Sequence, residues 1–106
     1  MNRLLLTLAL AMSVTVASGA DDGLITKPSN YSASETVSRF VAAVKQREGA
    51  GFIVFHEIDH AAAGKKFVID MKPRTVIIFG NPKLGTPVMI KTPRLAIDLP
   101  PRALVW

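Results

Sequence analysis

The chain has 106 residues, the usual length of one domain, which excludes a second unit with its own core. It contains no cysteine, which excludes a disulfide framework and a thiolate metal site. Thirteen basic and eight acidic residues give a net charge of +5, but the basic residues are scattered without interleaved aromatic side chains, which argues against nucleic-acid binding.

Residues 1–20 have the pattern of a secretory signal peptide. Arg3 supplies a positive start, residues 4–16 form an apolar run, and a Ser-Gly-Ala exit precedes two aspartates. The run is too short to span a bilayer, which needs about 20 apolar residues, and no later segment is long enough to span one. We expect residues 1–20 to be a signal peptide, with an uncleaved anchor as the alternative. Residues 21–106 are then a single domain in the periplasm or outside the cell.

Two elements are predicted at the start of this domain. Residues 23–27 are short and apolar and end at a proline, which favours an edge strand. Ser32 and Glu35 have the spacing of a capping box, with Ser34 as a rival cap, and they precede a helix that ends near Glu48. The apolar face of that helix recurs at helical intervals, at Val37, Phe40, Val41 and Val44.

The middle of the chain predicts two strands separated by a helical turn. Residues 52–55 are β-branched and aromatic, which favours a strand that continues towards Asp59. Asp59 then caps a helical turn over residues 61–63. Residues 75–79 are continuously apolar, as expected of an interior strand.

The last third predicts a loop, a short helix and a final strand. Residues 80–85 are expected to form the loop, and Thr86 with Pro87 fits the cap and first position of a helix that Pro93 ends. Residues 103–106 open the last strand. The whole order indicates an α+β domain, with a mostly antiparallel sheet of about four strands and helices packed on one face.

Residues 56–60, His-Glu-Ile-Asp-His, match the H-E-x-x-H pattern of zinc proteases. That pattern binds zinc because a helix puts both histidines on one face, whereas four steps along a strand separate them by roughly 13 Å. No glutamate follows Glu57 to act as a third ligand. We therefore predict no metal, no cofactor and no catalytic residue from this motif.

Residues 80–86 partly resemble a phosphate-binding loop, with two glycines ahead of a helix start. The lysine that should follow the second glycine is missing, and Pro82 removes one backbone donor. Two interpretations stay open. Free amides at the start of the Thr86 helix, near Lys83, hold a small anion or carboxylate, or the segment is a structural turn.

An ordered series of short motifs resembles the family called domain of unknown function 302. The motifs are Glu57-Ile58-Asp59-His60-Ala61, Phe79-Gly80-Asn81-Pro82, Gly85-Thr86-Pro87, Met89, Asp98-Leu99-Pro100 and Leu104-Val105-Trp106. The resemblance covers nearly all of residues 21–106. It implies a compact α+β fold and no particular activity. Similar members continue past the final Val-Trp with another strand, so the resemblance raises the expectation that this chain is truncated.

Polar residues at predicted strand ends provide the candidate site, because binding residues concentrate in loops held by a rigid scaffold. They are Asp59, His60, Asn81, Lys83 and Thr86. We expect a small-ligand-binding or interaction domain that takes a small anionic or polar ligand and forms a homodimer through its apolar edge. Two alternatives stay open: a small enzyme that uses His60 with Asp59, and a structural module that only self-associates.

Overall fold

The computed structural model describes residues 22–106, and the predicted signal peptide, residues 1–20, lies outside the described residues. Three strands form one antiparallel sheet in the order β1-β2-β3. They are β1 (Ile53–Asp59), β2 (Thr75–Gly80) and β3 (Arg102–Val105). The helices are α1 (Ala33–Lys45), α2 (His60–Lys65) and α3 (Pro82–Lys91), with short 3-10 turns at Glu48–Ala50 and Pro93–Ile97. Within the described part of the chain, none of the helices is both long and apolar enough to cross a membrane.

The α+β class is confirmed, but the sheet has three strands instead of about four. Residues 23–27, predicted as an edge strand, are not part of the sheet, and their Leu24 and Ile25 side chains are 74% and 89% exposed. Gly23 has φ +74°, and Pro28 has no amide hydrogen to donate to a ladder. Both ends of this short segment are therefore unsuited to strand pairing.

Helix α1 begins where its sequence predicts. The Ser32 hydroxyl accepts a hydrogen bond from the Glu35 amide at 3.1 Å, so Ser32 is the cap and Ser34 lies in the first turn. The helix ends at Lys45, and a separate 3-10 turn follows at Glu48–Ala50, near the predicted helix end. Ser32 is confirmed as the cap, whereas the Glu35 carboxylate accepts hydrogen bonds from Arg39, and the helix ends three residues earlier than predicted.

The core lies between α1 and one face of the sheet, and α1 contacts all three strands. Ile77 of β2 is fully buried and Val44 of α1 is 7% exposed. Phe40 meets Phe79 edge to face, with ring centroids 4.9 Å apart, an arrangement that contributes about 0.5–1.5 kcal/mol beyond burial. The predicted apolar face of α1 is therefore the face that packs on the sheet.

Strand β2 is the interior strand, as predicted, and pairs on both sides. Strand β3 forms one edge, where Leu104 is 50% exposed and the adjacent Trp106 is 67% exposed. Exposed apolar edges favour association with another strand. The homodimer expected from the sequence stays a prediction.

The backbone through the zinc-protease pattern is extended, as predicted. His56 lies within β1, whereas His60 is the first residue of α2. The Asp59 carboxylate accepts a hydrogen bond from the Ala62 amide at 2.9 Å, which confirms Asp59 as a helix cap. The two imidazoles therefore do not share one face of a helix.

Helix α2 ends in a turn with an unusual residue. The Ile69 amide donates to the Gly64 carbonyl at 3.1 Å and the Val68 amide donates to the Lys65 carbonyl at 3.0 Å, the two bonds of a Schellman motif. The motif usually has glycine at the position of Val68, where φ is +61°. A β-branched side chain in this conformation costs roughly 1–2 kcal/mol.

Helix α3 begins at Pro82, so the predictions of a loop over residues 80–85 and of a cap at Thr86 are wrong. The Asn81 side-chain oxygen accepts a hydrogen bond from the Lys83 amide at 3.1 Å. Pro82 fits the first helical position, where a missing amide hydrogen costs nothing. Pro87, which was expected to start the helix, lies inside it.

Replacement of Val68 by glycine should stabilise the domain. The substitution Val68→Gly relieves the left-handed strain, which exceeds the backbone entropy that glycine adds to the unfolded chain, so we expect the free energy of unfolding to rise by about 1 kcal/mol. Urea denaturation measures this change. Ile69→Gly is the control, because Ile69 has no positive φ, and it should lower the free energy of unfolding. Equal effects of the two substitutions on the free energy of unfolding would contradict the assignment of backbone strain to Val68.

Candidate functional site

A cavity of about 290 Å³ opens at the end of the sheet where β2 passes into α3. Three chain segments form it: the first half of β1, the β2–α3 junction with the first turns of α3, and the segment before β3. Its wall includes Phe55, Gly85, Thr86, Met89, Leu99 and Pro100. The cavity is therefore mostly apolar and depends on the tertiary arrangement of distant segments.

Two local backbone features shape this cavity. The pairing of β1 with β2 is irregular between Val54 and His56, so Phe55 has no partner across the ladder and its side chain reaches the cavity wall. Gly80 is buried, and a Cβ atom there would lie 3.4 Å from the Pro101 ring and 3.5 Å from Pro100. The end of β2 therefore lies close against the two prolines, and a Cβ atom at Gly80 would meet them at ordinary van der Waals distance.

Asn81 connects the wall of the cavity to the turn after α1. Its side-chain oxygen caps α3, and its side-chain NH₂ group donates to the Ala50 carbonyl at 3.0 Å. Gly51, next to that carbonyl, has φ +99°, and a Cβ atom there would lie 2.6 Å from the Asn81 oxygen. The polar atoms of Asn81 are thus used to join the turn after α1 to the start of α3.

Thr86 supplies the polar group of the cavity. Its hydroxyl makes no hydrogen bond with other residues in the described part of the chain, whereas both polar atoms of Asn81 are engaged. A hydroxyl both donates and accepts hydrogen bonds. The site can therefore orient a molecule through one hydrogen bond while the apolar walls contact the rest of it.

The five residues predicted from the sequence do not form one site. Ile53 pairs with Gly80 and Asp59 pairs with Thr75, so the two ends of β1 lie about 20 Å apart. Asp59 and His60 are at one end of the sheet. At the other end, Asn81 and Thr86 line the cavity, while the exposed Lys83 follows the cap without lining it. Whether either group binds a ligand stays a prediction.

The amides expected to hold an anion are engaged in helical bonds. The Leu84 and Gly85 amides both donate to the Asn81 carbonyl, at 3.0 and 2.9 Å. The Lys83 amide donates to the Asn81 side chain, and Thr86 lies inside α3. The anion interpretation assumed a helix that starts at Thr86, and the earlier start of α3 removes that basis.

Asp59 and His60, the pair of the enzyme alternative, are adjacent at the β1–α2 junction. The Asp59 carboxylate caps α2, and no hydrogen bond joins it to the exposed His60 side chain within residues 22–106. In the same range, no three His, Asp or Glu side chains lie close enough together to hold a metal ion. The enzyme alternative stays a prediction without support from the geometry.

Phe55, Leu99 and Pro100 are site residues that sequence reasoning missed. A bulge such as the one at Phe55 leaves no local sequence signal, because it depends on the register with β2. Leu99 and Pro100 belong to the Asp-Leu-Pro motif that carries the family resemblance. That motif was the available signal for this wall of the cavity.

Comparison with known proteins gives a family and longer relatives. The family model described as "Domain of unknown function DUF302" matches residues 25–106. "Fluoride-specific ion channel FluC 1" of Brucella suis is 41% identical over 91 residues, 86% of this chain and 35% of that protein. "Fluoride-specific ion channel FluC 1" of Brucella abortus and "Fluoride-specific ion channel FluC 2" of Brucella melitensis show the same identity over 33% of their length. The match thus spans about a third of these relatives.

Removal of the Asn81 side chain should destabilise the junction. Asn81→Ala loses the helix cap and the bond to the Ala50 carbonyl, so we expect the free energy of unfolding to fall by roughly 1–2 kcal/mol. Asn81→Ser keeps a hydroxyl acceptor for the Lys83 amide and removes the donor to the Ala50 carbonyl without placing a carboxylate against it, so its loss should be smaller. Urea denaturation of the two variants measures the difference. An equal loss in both would show that the cap contributes nothing.

Proposed function

This chain belongs to the family described as domain of unknown function DUF302, and we propose that its domain binds a small, neutral, mostly apolar molecule that carries one hydrogen-bonding group. The observation that supports the proposal is the cavity beside Thr86. Its three wall segments all fall within the matched residues 25–106.

The size of the cavity limits the ligand. Its volume of about 290 Å³ is at the lower end of small-molecule sites, which span roughly 300–1,000 Å³. A nucleotide or a folded peptide is too large for it. A molecule with one ring or a short branched chain fits, and burial of its apolar surface contributes about 25 cal/mol per Å².

The chemistry of the wall limits the charge of the ligand. No charged side chain lines the cavity, and the Thr86 hydroxyl is the polar group with no other bond in the described residues. An ionised ligand would lose part of its hydration there without gaining a partner of opposite charge, which is unfavourable. A neutral hydroxyl, carbonyl or amide group suits the Thr86 hydroxyl better than the anion expected from the sequence.

The name of the Brucella relatives does not by itself describe this domain. A bare anion such as fluoride needs several converging donors to replace its hydration, and the cavity offers a single hydroxyl. The match also covers only about a third of those proteins. We propose that the channel activity stated in the name of these relatives belongs to their unmatched part, and that the matched part is a binding domain that accompanies the channel.

Variants at the cavity wall test the ligand proposal. Gly85 lines the cavity, and a Cβ atom there meets only the end of Met89, at 3.9 Å, so we expect the side chain of Gly85→Leu to occupy the cavity and abolish binding. Thr86→Val keeps the shape and removes the hydroxyl, so affinity should fall by roughly three- to tenfold. NMR titration with neutral fragments, each with one ring and one hydroxyl or carbonyl group, measures both effects.

Lys83→Gln is the matched control for the same titration. Lys83 lies near the cavity but outside its wall, so its charge should not affect a neutral fragment. Binding of small carboxylates that Lys83→Gln abolishes would favour the anionic ligand instead. Fragment binding that Gly85→Leu leaves intact would place the ligand elsewhere.

We also propose that the domain works in the periplasm or outside the cell, on the basis of the signal-peptide pattern in residues 1–20. Expression of the full chain in a bacterium should yield a periplasmic product whose N-terminus is Asp21. Cell fractionation followed by N-terminal sequencing measures this. A product that starts at Met1 in the membrane fraction would favour the uncleaved anchor.

A further inference from the structure

The turn that follows α2 exposes three consecutive large apolar side chains. Phe67 is 78% exposed, Val68 is 94% exposed and Ile69 is 60% exposed. We call these three residues the apolar turn. A run of three exposed apolar residues is unfavourable in water and is normally absent unless it has a function. We propose that the apolar turn is a docking surface for an anionic lipid bilayer.

Val68 gives the first argument. It is the one non-glycine residue with positive φ in the described part of the chain, and glycine would be more stable at this position of a Schellman motif. Its side chain adds no burial in return, since it is almost fully exposed. A strained residue that does not stabilise the fold points to a role in contact with a partner.

Charge gives the second argument. Four cations flank the apolar turn within ten residues of sequence, with Asp70 as the one acid among them. They are Lys65, Lys66, Lys72 and Arg74, all exposed. None of them forms an ion pair within residues 22–106. Four cations less one acid give residues 65–74 a net charge of +3, and an apolar turn with basic flanks complements a surface of anionic headgroups.

The layered structure of a bilayer fits this arrangement better than other polyanions do. Interfacial segments bury apolar side chains about 5–10 Å into the headgroup and acyl boundary and keep their cations at headgroup level. A nucleic acid would satisfy the lysines but would leave Phe67 and Val68 in water. The combination of apolar tip and basic flanks therefore selects the lipid surface.

The apolar turn is ordered before it meets a membrane. The Phe67 and Ile69 amides both donate to the Gly64 carbonyl, at 3.0 and 3.1 Å, and the Val68 amide donates to the Lys65 carbonyl. A surface that is already fixed loses little conformational entropy on binding. Insertion of the turn then needs no folding step.

Co-sedimentation of the full chain with vesicles tests the proposal. Mixed phosphatidylcholine and phosphatidylglycerol vesicles should bind the chain, and pure phosphatidylcholine vesicles should bind it more weakly. Phe67→Ser with Val68→Ser should lower the partition coefficient at least tenfold. Lys65→Gln with Lys66→Gln should lower it about fivefold per charge at low salt and have no effect at high salt.

Ile97→Ser is the matched control, because Ile97 is 88% exposed but lies outside residues 65–74, which hold the apolar turn and its four flanking cations. It should leave binding unchanged. Residues 1–21 are common to all variants, so differences between variants report on the turn. Val68→Gly removes the apolar side chain from a more stable protein, so reduced binding by this variant excludes unfolding as the cause.

Two results would overturn the proposal. The first is vesicle binding that the Phe67 and Val68 substitutions do not reduce, or that Ile97→Ser reduces equally. The second is a sedimentation-velocity mass, measured without lipid, that the same substitutions halve, because the turn would then be a contact with a second copy of the chain. Loss of vesicle binding with unchanged mass supports the lipid surface.

Discussion

The packing of α1 against β2 is the contact on which the rest of the domain depends. Ile77, at the centre of the interior strand, is the one fully buried side chain among the described residues, and Phe79 beside it meets Phe40 of α1. A small domain buries a modest fraction of its surface, so its stability is concentrated in few contacts. Both edge strands pair with β2, so their positions, and those of the helices that follow β1 and β2, depend on this packing of α1 on the sheet.

The cavity and the apolar turn lie at opposite ends of the sheet. The cavity lies where β2 passes into α3, and the apolar turn lies beyond α2, which follows the far end of β1. At the cavity, Asn81 fixes the start of α3 through its two side-chain hydrogen bonds. At the apolar turn, Val68 has a strained backbone conformation. A domain docked on a bilayer by the apolar turn would carry its cavity away from the lipid surface.

Local signals in the sequence were reliable where neighbouring residues alone decide the structure. The Ser32 cap, the apolar face of α1 and the Asp59 cap need only a few residues of context, and the structure confirms all three. The start of α3 was misplaced because two cap and proline pairs compete in one segment. Asn81 with Pro82 prevails over Thr86 with Pro87, since the Asn81 side chain also bonds to Ala50, 31 residues away.

The sequence by itself determined the α+β class, the family, the interior strand and the extended backbone through the zinc-protease pattern. These features follow from periodicity, β-branching and ordered motifs, which depend on residues close together in sequence. Only the tertiary structure decided the strand count, the bulge at Phe55 and the separation of Asp59 and His60 from Asn81 and Thr86. Those features depend on strand register and on contacts between distant segments. In an antiparallel pair, the C-terminal ends of the two strands lie at opposite ends of the sheet. Which residues meet there is set by the pairing of distant segments and not by any single stretch of sequence.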